Sequence, residues 1–145
     1  MRKKITWNNE NIALPAIDFA ATEAWLDEVA HRHGYVIGKI NYIFTDDAGI
    51  LAVNRSALGH DYYTDIITFD YTAGDTVSGD IYVSLDTVAS NAETVDATYN
   101  SELHRVIAHG LLHLCGINDK GPGEREIMEY HENEALALLD SSIIS

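Results

Sequence analysis

The order of β-type and helix-type segments constrains the fold of this chain more than any other sequence feature. Residues 5–11 and 39–45 are rich in strand-forming residues, and each is followed by a segment with helical apolar spacing. We expect the first helix to run from its cap Asp18 to about residue 33. The second helix should open at residues 45–47 and stop at Gly59. A strand followed by a helix, found twice, is typical of an α/β domain.

The rest of the chain completes this pattern. Residues 65–71 and 80–84 favour two further strands, joined by a glycine-containing turn over 72–79, that pair with each other or with a shared neighbour. The last third is helical, with predicted helices over 85–95, 101–115 and 124–139. We therefore predict one α/β domain over residues 1–145, with a small mixed sheet of about four strands and helices packed on its faces.

Composition excludes several classes of protein. With 145 residues, 46% of them hydrophobic, the chain can bury a core without disulfides, and its one cysteine, Cys115, lies in an apolar stretch typical of a core position. The apolar runs are shorter than the roughly 18 residues that span a bilayer, and no signal peptide is visible, so we expect a cytoplasmic protein away from membranes. A net charge of -14 repels nucleic acid at long range, so any RNA binding must depend on a local site.

The segment from His109 to Asp119, HGLLHLCGIND, carries the chemistry. On a helix, His109 and His113 lie one turn apart and about 40° apart around the axis, so both imidazoles can reach one ion. Gly116 can adopt the left-handed conformation that ends a helix, which lets the chain fold back and bring Asp119 to the same point. The spacing predicts one zinc ion per chain, bound by His109, His113 and Asp119.

The number of protein ligands bears on the role of that ion. Three ligands leave the fourth position to water, whose pKa zinc lowers toward about 7, as in hydrolytic sites. A fourth protein ligand such as His131 would instead indicate a structural site. Cys115 lies about 200° around the helix from His113 and is not placed to ligate. A zinc peptidase of the His-Glu-x2-His class shares the spacing, but its general-base glutamate is replaced here by Gly110.

The same segment resembles the signature of the YbeY family of bacterial metal-dependent endoribonucleases, His-Gly-x-Leu-His-Leu-x-Gly-Tyr-Asp-His, at eight of its eleven positions, two of which the signature leaves open. Residues 64–69 resemble the family strand Thr-Asp-Val-Leu-Ser-Phe, and residues 79–84 resemble the strand Gly-Asp-Ile-x-Ile-Ser. The resemblance implies cleavage of single-stranded RNA in rRNA maturation and ribosome quality control. Because the net charge of -14 weakens binding of free RNA, we expect the small ribosomal subunit or its proteins to be partners. The alternative is a non-catalytic ribosome-assembly factor whose metal ion pins the helix to its following loop.

Carried over by position, the resemblance shows two departures from the family. The first two ligands fall on His109 and His113, but the third, normally a histidine, falls on Asp119. A carboxylate is an acceptable zinc ligand, although its negative charge should make a bound water less acidic. The family also commonly has an arginine six residues before the strand threonine, where this chain has Leu58. Arg55, one helical turn earlier, is the nearest candidate to replace it.

Phosphodiester cleavage requires cations near the metal, because negative charge builds up in the transition state. The candidate phosphate contacts are Arg55, Arg105 and Lys120, although Arg105 has the spacing to pair with Glu102 instead. Residues 60–63, His-Asp-Tyr-Tyr, could border the cleft, where the tyrosines would stack on unpaired bases. The residues that act as nucleophile and general base stay unassigned.

Overall fold

The computed structural model describes residues 4–59 and 64–139, and it confirms the predicted α/β fold with a mixed sheet. The described strands are β1 (Ile5–Asn9), β2 (Val36–Thr45), β3 (Ile66–Asp70) and β4 (Thr76–Ser84). The described helices are α1 (Phe19–Arg32), α2 (Asp47–Leu58), α3 (Leu85–Thr94), α4 (Tyr99–Leu114) and α5 (Glu124–Ala137). Within these residues, no helix has the length and apolar character needed to cross a membrane.

The four strands are ordered β1-β2-β4-β3 in one sheet. β1 and β4 each pair with β2 in parallel, and β3 pairs with β4 in antiparallel orientation. β2 and β4 both begin earlier than predicted, because their parallel ladder continues past an irregularity at residues 37–40 to the pair Val36 and Thr76. The predicted turn over 72–79 is therefore too long. Gly79 lies inside β4, where it pairs with Ile40 of β2.

The predicted helix caps are confirmed. The Asp18 side chain accepts a hydrogen bond from the Ala21 amide at 3.0 Å, and Asp46 accepts one from the Gly49 amide at 2.8 Å. Helix α2 ends at Gly59, which is in the left-handed conformation. These local signals explain why both helices begin and end close to the predicted positions.

Helix α4 is the centre of the helical layer, in contact with β3, β4, α1, α3 and α5. Its backbone is tied to the sheet by Tyr42, a fully buried residue whose hydroxyl donates to the Ile107 carbonyl at 2.7 Å. Cys115 follows the helix and is buried as predicted, and burial raises the pKa of its thiol to about 12. Helix α5 is anchored to α1 by the Trp25 indole, which donates to the Ala135 carbonyl at 2.7 Å.

Candidate functional site

A cleft of about 930 Å³ lies between α4, α5 and the segment that begins β3. All three predicted metal ligands line this cleft. Two of the predicted phosphate contacts, Arg105 and Lys120, line it as well. The structure thus brings the residues of the sequence motif to one concave surface. The predicted border residues 60–63 lie outside the described part of the chain.

Helix α4 presents His109 and His113 to the cleft because its opposite side lies directly on the sheet. A Cβ atom at Gly110 would lie 2.9 Å from Ile81 Cγ2 and 3.1 Å from Ile66 Cδ1, so a larger residue would push the helix away. Position 110 also faces the sheet rather than the cleft. The general-base glutamate of a zinc peptidase therefore has neither the room nor the direction it needs here.

The turn after α4 brings Asp119 back to His109. Gly116 has φ +89°, its amide donates to the His113 carbonyl at 3.0 Å, and the Ile117 amide donates to the Leu112 carbonyl at 3.1 Å. This pair of hydrogen bonds is the Schellman ending of a helix, as the glycine predicted. As a result, Asp119 Oδ2 lies 3.3 Å from His109 Nε2.

Glu132 of α5 completes the surroundings of His109, and the sequence interpretation missed it. Its Oε2 lies 2.7 Å from His109 Nδ1, and its Oε1 accepts from Arg105 Nη1 at 3.1 Å. Glu132 shares the buried side of α5 with Met128 and Ala135, at helical spacing. A carboxylate in such an apolar stripe needs hydrogen-bond donors. The position of Glu132 in this stripe was the sequence signal that could have indicated its role.

The charges around the cleft are predominantly negative. Burial alone would lower the pKa of His109, but the hydrogen bond to Glu132 and the charges of Glu132, Asp119 and Asp65 together raise it. Burial raises the pKa of the Asp65 carboxyl, which the His109 charge partly offsets. Burial likewise raises the pKa of Glu102 against the opposing charge of Arg105. A site with this many carboxylates is suited to hold a cation.

The candidate cations differ in how firmly they are held. Arg105 contacts Glu132, and its Nη2 donates to Asn133 Oδ1 at 3.0 Å, whereas its Nε lies 3.7 Å from Glu102. Lys120 is exposed at the rim of the cleft. From α2, Asn54 and Leu58 line the cleft, whereas the exposed Arg55 lies outside its lining.

A further cation at the cleft, Arg125 of α5, was not singled out from the sequence. Its Nε donates to Glu129 Oε1 at 3.3 Å, and both side chains are largely exposed. Nothing in the local pattern distinguishes Arg125 from an ordinary helix-surface residue in an i, i+4 pair.

The donor atoms at His109 and Asp119 fit a zinc ion. In a tetrahedral site with bonds of about 2.0 to 2.2 Å, neighbouring ligand atoms are about 3.4 Å apart, close to the observed 3.3 Å between His109 Nε2 and Asp119 Oδ2. His113 lines the same cleft, but the described residues contain no group of three or more His, Cys, Asp or Glu side chains already gathered around one point. His131, the possible fourth ligand, instead contacts Glu134 and the His33 ring.

Comparison with known proteins identifies the family. The family model described as endoribonuclease YbeY matches residues 4–140. The chain belongs to the YbeY family. A Parabacteroides distasonis protein named endoribonuclease YbeY is 62% identical over 135 residues, which cover 93% of this chain and 95% of that protein. A Phocaeicola vulgatus protein of the same name is 60% identical over 93% of this chain and 98% of its own length.

A solved structure supports the fold assignment. The solution structure of a Thermotoga maritima protein superposes with a TM-score of 0.64 at 27% sequence identity. The match covers 91% of this chain and 86% of the Thermotoga protein. The predicted resemblance to the YbeY family, made from the motif and two strands, is therefore confirmed over nearly the whole chain.

Proposed function

We propose that this chain is a metal-dependent endoribonuclease that hydrolyses phosphodiester bonds in single-stranded RNA. Its membership of the YbeY family supports the endoribonuclease activity, because the family model and the two relatives described above carry that name. We place this activity in the cytoplasm, in rRNA maturation and ribosome quality control. The whole chain then acts as a single hydrolase domain.

One zinc ion per chain, held by His109, His113 and Asp119, is the proposed cofactor. The observation that carries this assignment is the 3.3 Å approach of His109 Nε2 to Asp119 Oδ2 in a cleft that His113 also lines. When bound, the ion would polarise a phosphoryl oxygen or make a water more acidic at neutral pH. The chain itself contributes helix α4, which presents the imidazoles of His109 and His113. It also contributes the turn at Gly116, which brings the Asp119 carboxylate close to His109.

The charge of the chain limits how RNA can bind. Nine Lys and Arg residues oppose 23 Asp and Glu residues, so a polyanion is repelled except close to the metal and the few cations at the cleft. Lys120 is the foremost of the three proposed phosphate contacts, because Arg105 is hydrogen-bonded within the protein and Arg55 lies outside the cleft lining. We therefore propose that the small ribosomal subunit or its proteins present the RNA to this site.

The metal content and RNA cleavage of matched histidine variants test this proposal. Purified wild-type protein and His131→Ala should each hold one zinc ion by elemental analysis and cleave a single-stranded RNA, since His131 lies outside the cleft lining. His113→Ala should lose both zinc and cleavage but keep its far-UV circular dichroism spectrum, because a domain of this size does not need an ion to fold. Asp119→His should keep zinc, since it substitutes one good ligand for another.

Two results would contradict the proposal in different ways. If His113→Ala kept its zinc and its activity, the assigned ligand set would be wrong. If removal of zinc from the wild-type protein unfolded it, the ion would have a structural role, as in a non-catalytic assembly factor.

A further inference from the structure

Glu132 is a buried charged residue to which the proposed function gives no role. Its side chain is 8% exposed, and buried carboxylates are rare unless their oxygens have hydrogen-bond donors. Each oxygen of Glu132 has one: Oε2 contacts His109 Nδ1 at 2.7 Å and Oε1 accepts from Arg105 Nη1 at 3.1 Å. The carboxylate therefore joins a candidate metal ligand on α4 to a basic residue one turn earlier on the same helix.

We propose that Glu132 is a positioning residue that fixes the tautomer and the orientation of His109 for metal binding. A neutral imidazole has one N–H group and one lone pair, and an ionised carboxylate can only accept a hydrogen bond. In the neutral imidazole that a metal ion requires, Nδ1 faces Glu132 and carries the proton, which leaves the lone pair on Nε2. Nε2 is the atom that lies 3.3 Å from Asp119 Oδ2. The inference rests on the proposed zinc site, since it concerns which nitrogen of His109 is free to ligate.

Arg105 holds the carboxylate in the orientation that this role requires. Its Nη1 contacts Glu132, and its Nη2 donates to Asn133 Oδ1 at 3.0 Å, so the guanidinium contacts two consecutive residues of α5. With Oε1 occupied by Arg105, Oε2 is left to face His109. A fixed carboxylate behind a ligating histidine also makes the imidazole a stronger ligand, and its loss typically weakens metal binding about 10- to 100-fold.

Glu132→Gln is the informative substitution because it keeps the size of the side chain. A glutamine has one oxygen where glutamate has two, so it cannot accept from both His109 Nδ1 and Arg105 Nη1. Glu134→Gln is the matched control. Glu134 is exposed on the same helix and contacts the Nδ1 of another histidine, His131, at 3.1 Å, outside the cleft lining.

Zinc affinity of the metal-free proteins, measured by competition with a chelating dye, provides the first test. We expect Glu132→Gln to bind zinc about 10- to 100-fold more weakly than the wild-type protein, and Glu134→Gln to bind it equally well. Equal affinity in Glu132→Gln and wild type would overturn the role of Glu132 and leave the zinc site intact. A wild-type protein that binds no zinc would overturn the proposed zinc site and this inference together.

The ring nitrogen of His109 that keeps its proton in the zinc-loaded wild-type protein provides a test that does not depend on a variant folding. The ¹⁵N chemical shifts of its imidazole, assigned by their absence in His109→Asn, should show a proton on Nδ1 and none on Nε2, the nitrogen that binds zinc. A proton on Nε2 would overturn the proposal, whatever the stability of Glu132→Gln. If Glu132 only linked α4 to α5, neither weaker zinc binding by Glu132→Gln nor a proton on His109 Nδ1 would be expected.

Discussion

Two histidines of helix α4, His104 and His109, have opposite surroundings. His104 is fully buried, its Nδ1 donates to the Asn100 carbonyl at 2.6 Å, and its ring lies against Trp25. Burial lowers the pKa of His104 more than its hydrogen bond raises it. The carboxylates around His109 instead overcome the effect of burial and raise its pKa. The same residue type thus serves the core on one side of the helix and the cleft on the other.

This difference shows how a small domain keeps a charged site in place. The sheet side of α4 is held by close packing at Gly110 and by the buried hydrogen bond from Tyr42 to Ile107. The cleft side is held by ionic hydrogen bonds from α5. Packing on the first side fixes where the helix lies, so that the second side can collect carboxylates and imidazoles at fixed positions. Substitutions on the two sides should therefore have separable effects.

The largest effect is expected from Gly110→Glu, which disrupts the close packing of α4 on the sheet. The new side chain would collide with Ile81 and Ile66 and would bury a carboxylate without partners. Overpacking and an unpaired buried charge together should lower the free energy of unfolding by more than about 3 kcal/mol. Urea unfolding followed by circular dichroism measures this loss.

Ala24→Glu is the control for that prediction, because it makes the same kind of change at an exposed position of α1. Its free energy of unfolding should stay within about 0.5 kcal/mol of the wild-type value. A Gly110→Glu protein of wild-type stability would show that α4 does not need its close approach to the sheet.

Local signals account for the parts of the molecule that the sequence predicted well. The caps Asp18 and Asp46 and the terminator Gly116 act within a few residues of their own positions, so the pattern around them is sufficient. The approach of Asp119 to His109 follows from helix periodicity and one turn. These features need no knowledge of which elements pack together.

The parts that were missed depend on contacts between distant segments. Glu132 reaches His109 only because α5 packs beside α4, and no spacing rule links residues so far apart. The same packing places Glu132 3.1 Å from Arg105, closer than Glu102 at 3.7 Å. Glu102 is the partner that the helical spacing predicts. The early start of β4 likewise requires a ladder with β2, which supplies partners to a segment whose glycine and serine residues predict a turn.

An intermediate effect is expected for the pH dependence of stability, which sharpens the contrast between the two histidines. Because the pKa of His104 is lowered from 6.5 in the folded state, the unfolded chain binds more protons just below that pH. The contribution of His104 to stability is complete above about pH 6.5 and decreases as the pH falls toward the pKa of the folded state. His104→Asn keeps a donor for the Asn100 carbonyl and removes the titration.

Urea unfolding of wild type and His104→Asn at a series of pH values measures this contribution. The stability advantage of wild type over the variant should shrink as the solution is acidified, while other groups, His109 included, titrate in both proteins and cancel. A difference between wild type and His104→Asn that is constant with pH would contradict the opposite environments of His104 and His109.

The smallest effect is expected from Lys120→Ala, which tests whether the cleft side has a local positive site in a chain of net charge -14. Binding of a 2′-O-methyl RNA, which resists cleavage, can be followed by fluorescence anisotropy at several salt concentrations. Removal of one phosphate contact should weaken binding a few-fold and reduce the slope of log affinity against log salt by about 0.7, the value for one contact to a single strand. Lys39→Ala, an exposed change on β2 outside the cleft lining, should alter neither quantity. If both variants reduced the slope equally, RNA would respond to the overall charge of the chain. The cleft side of α4 would then provide no local phosphate contact through Lys120.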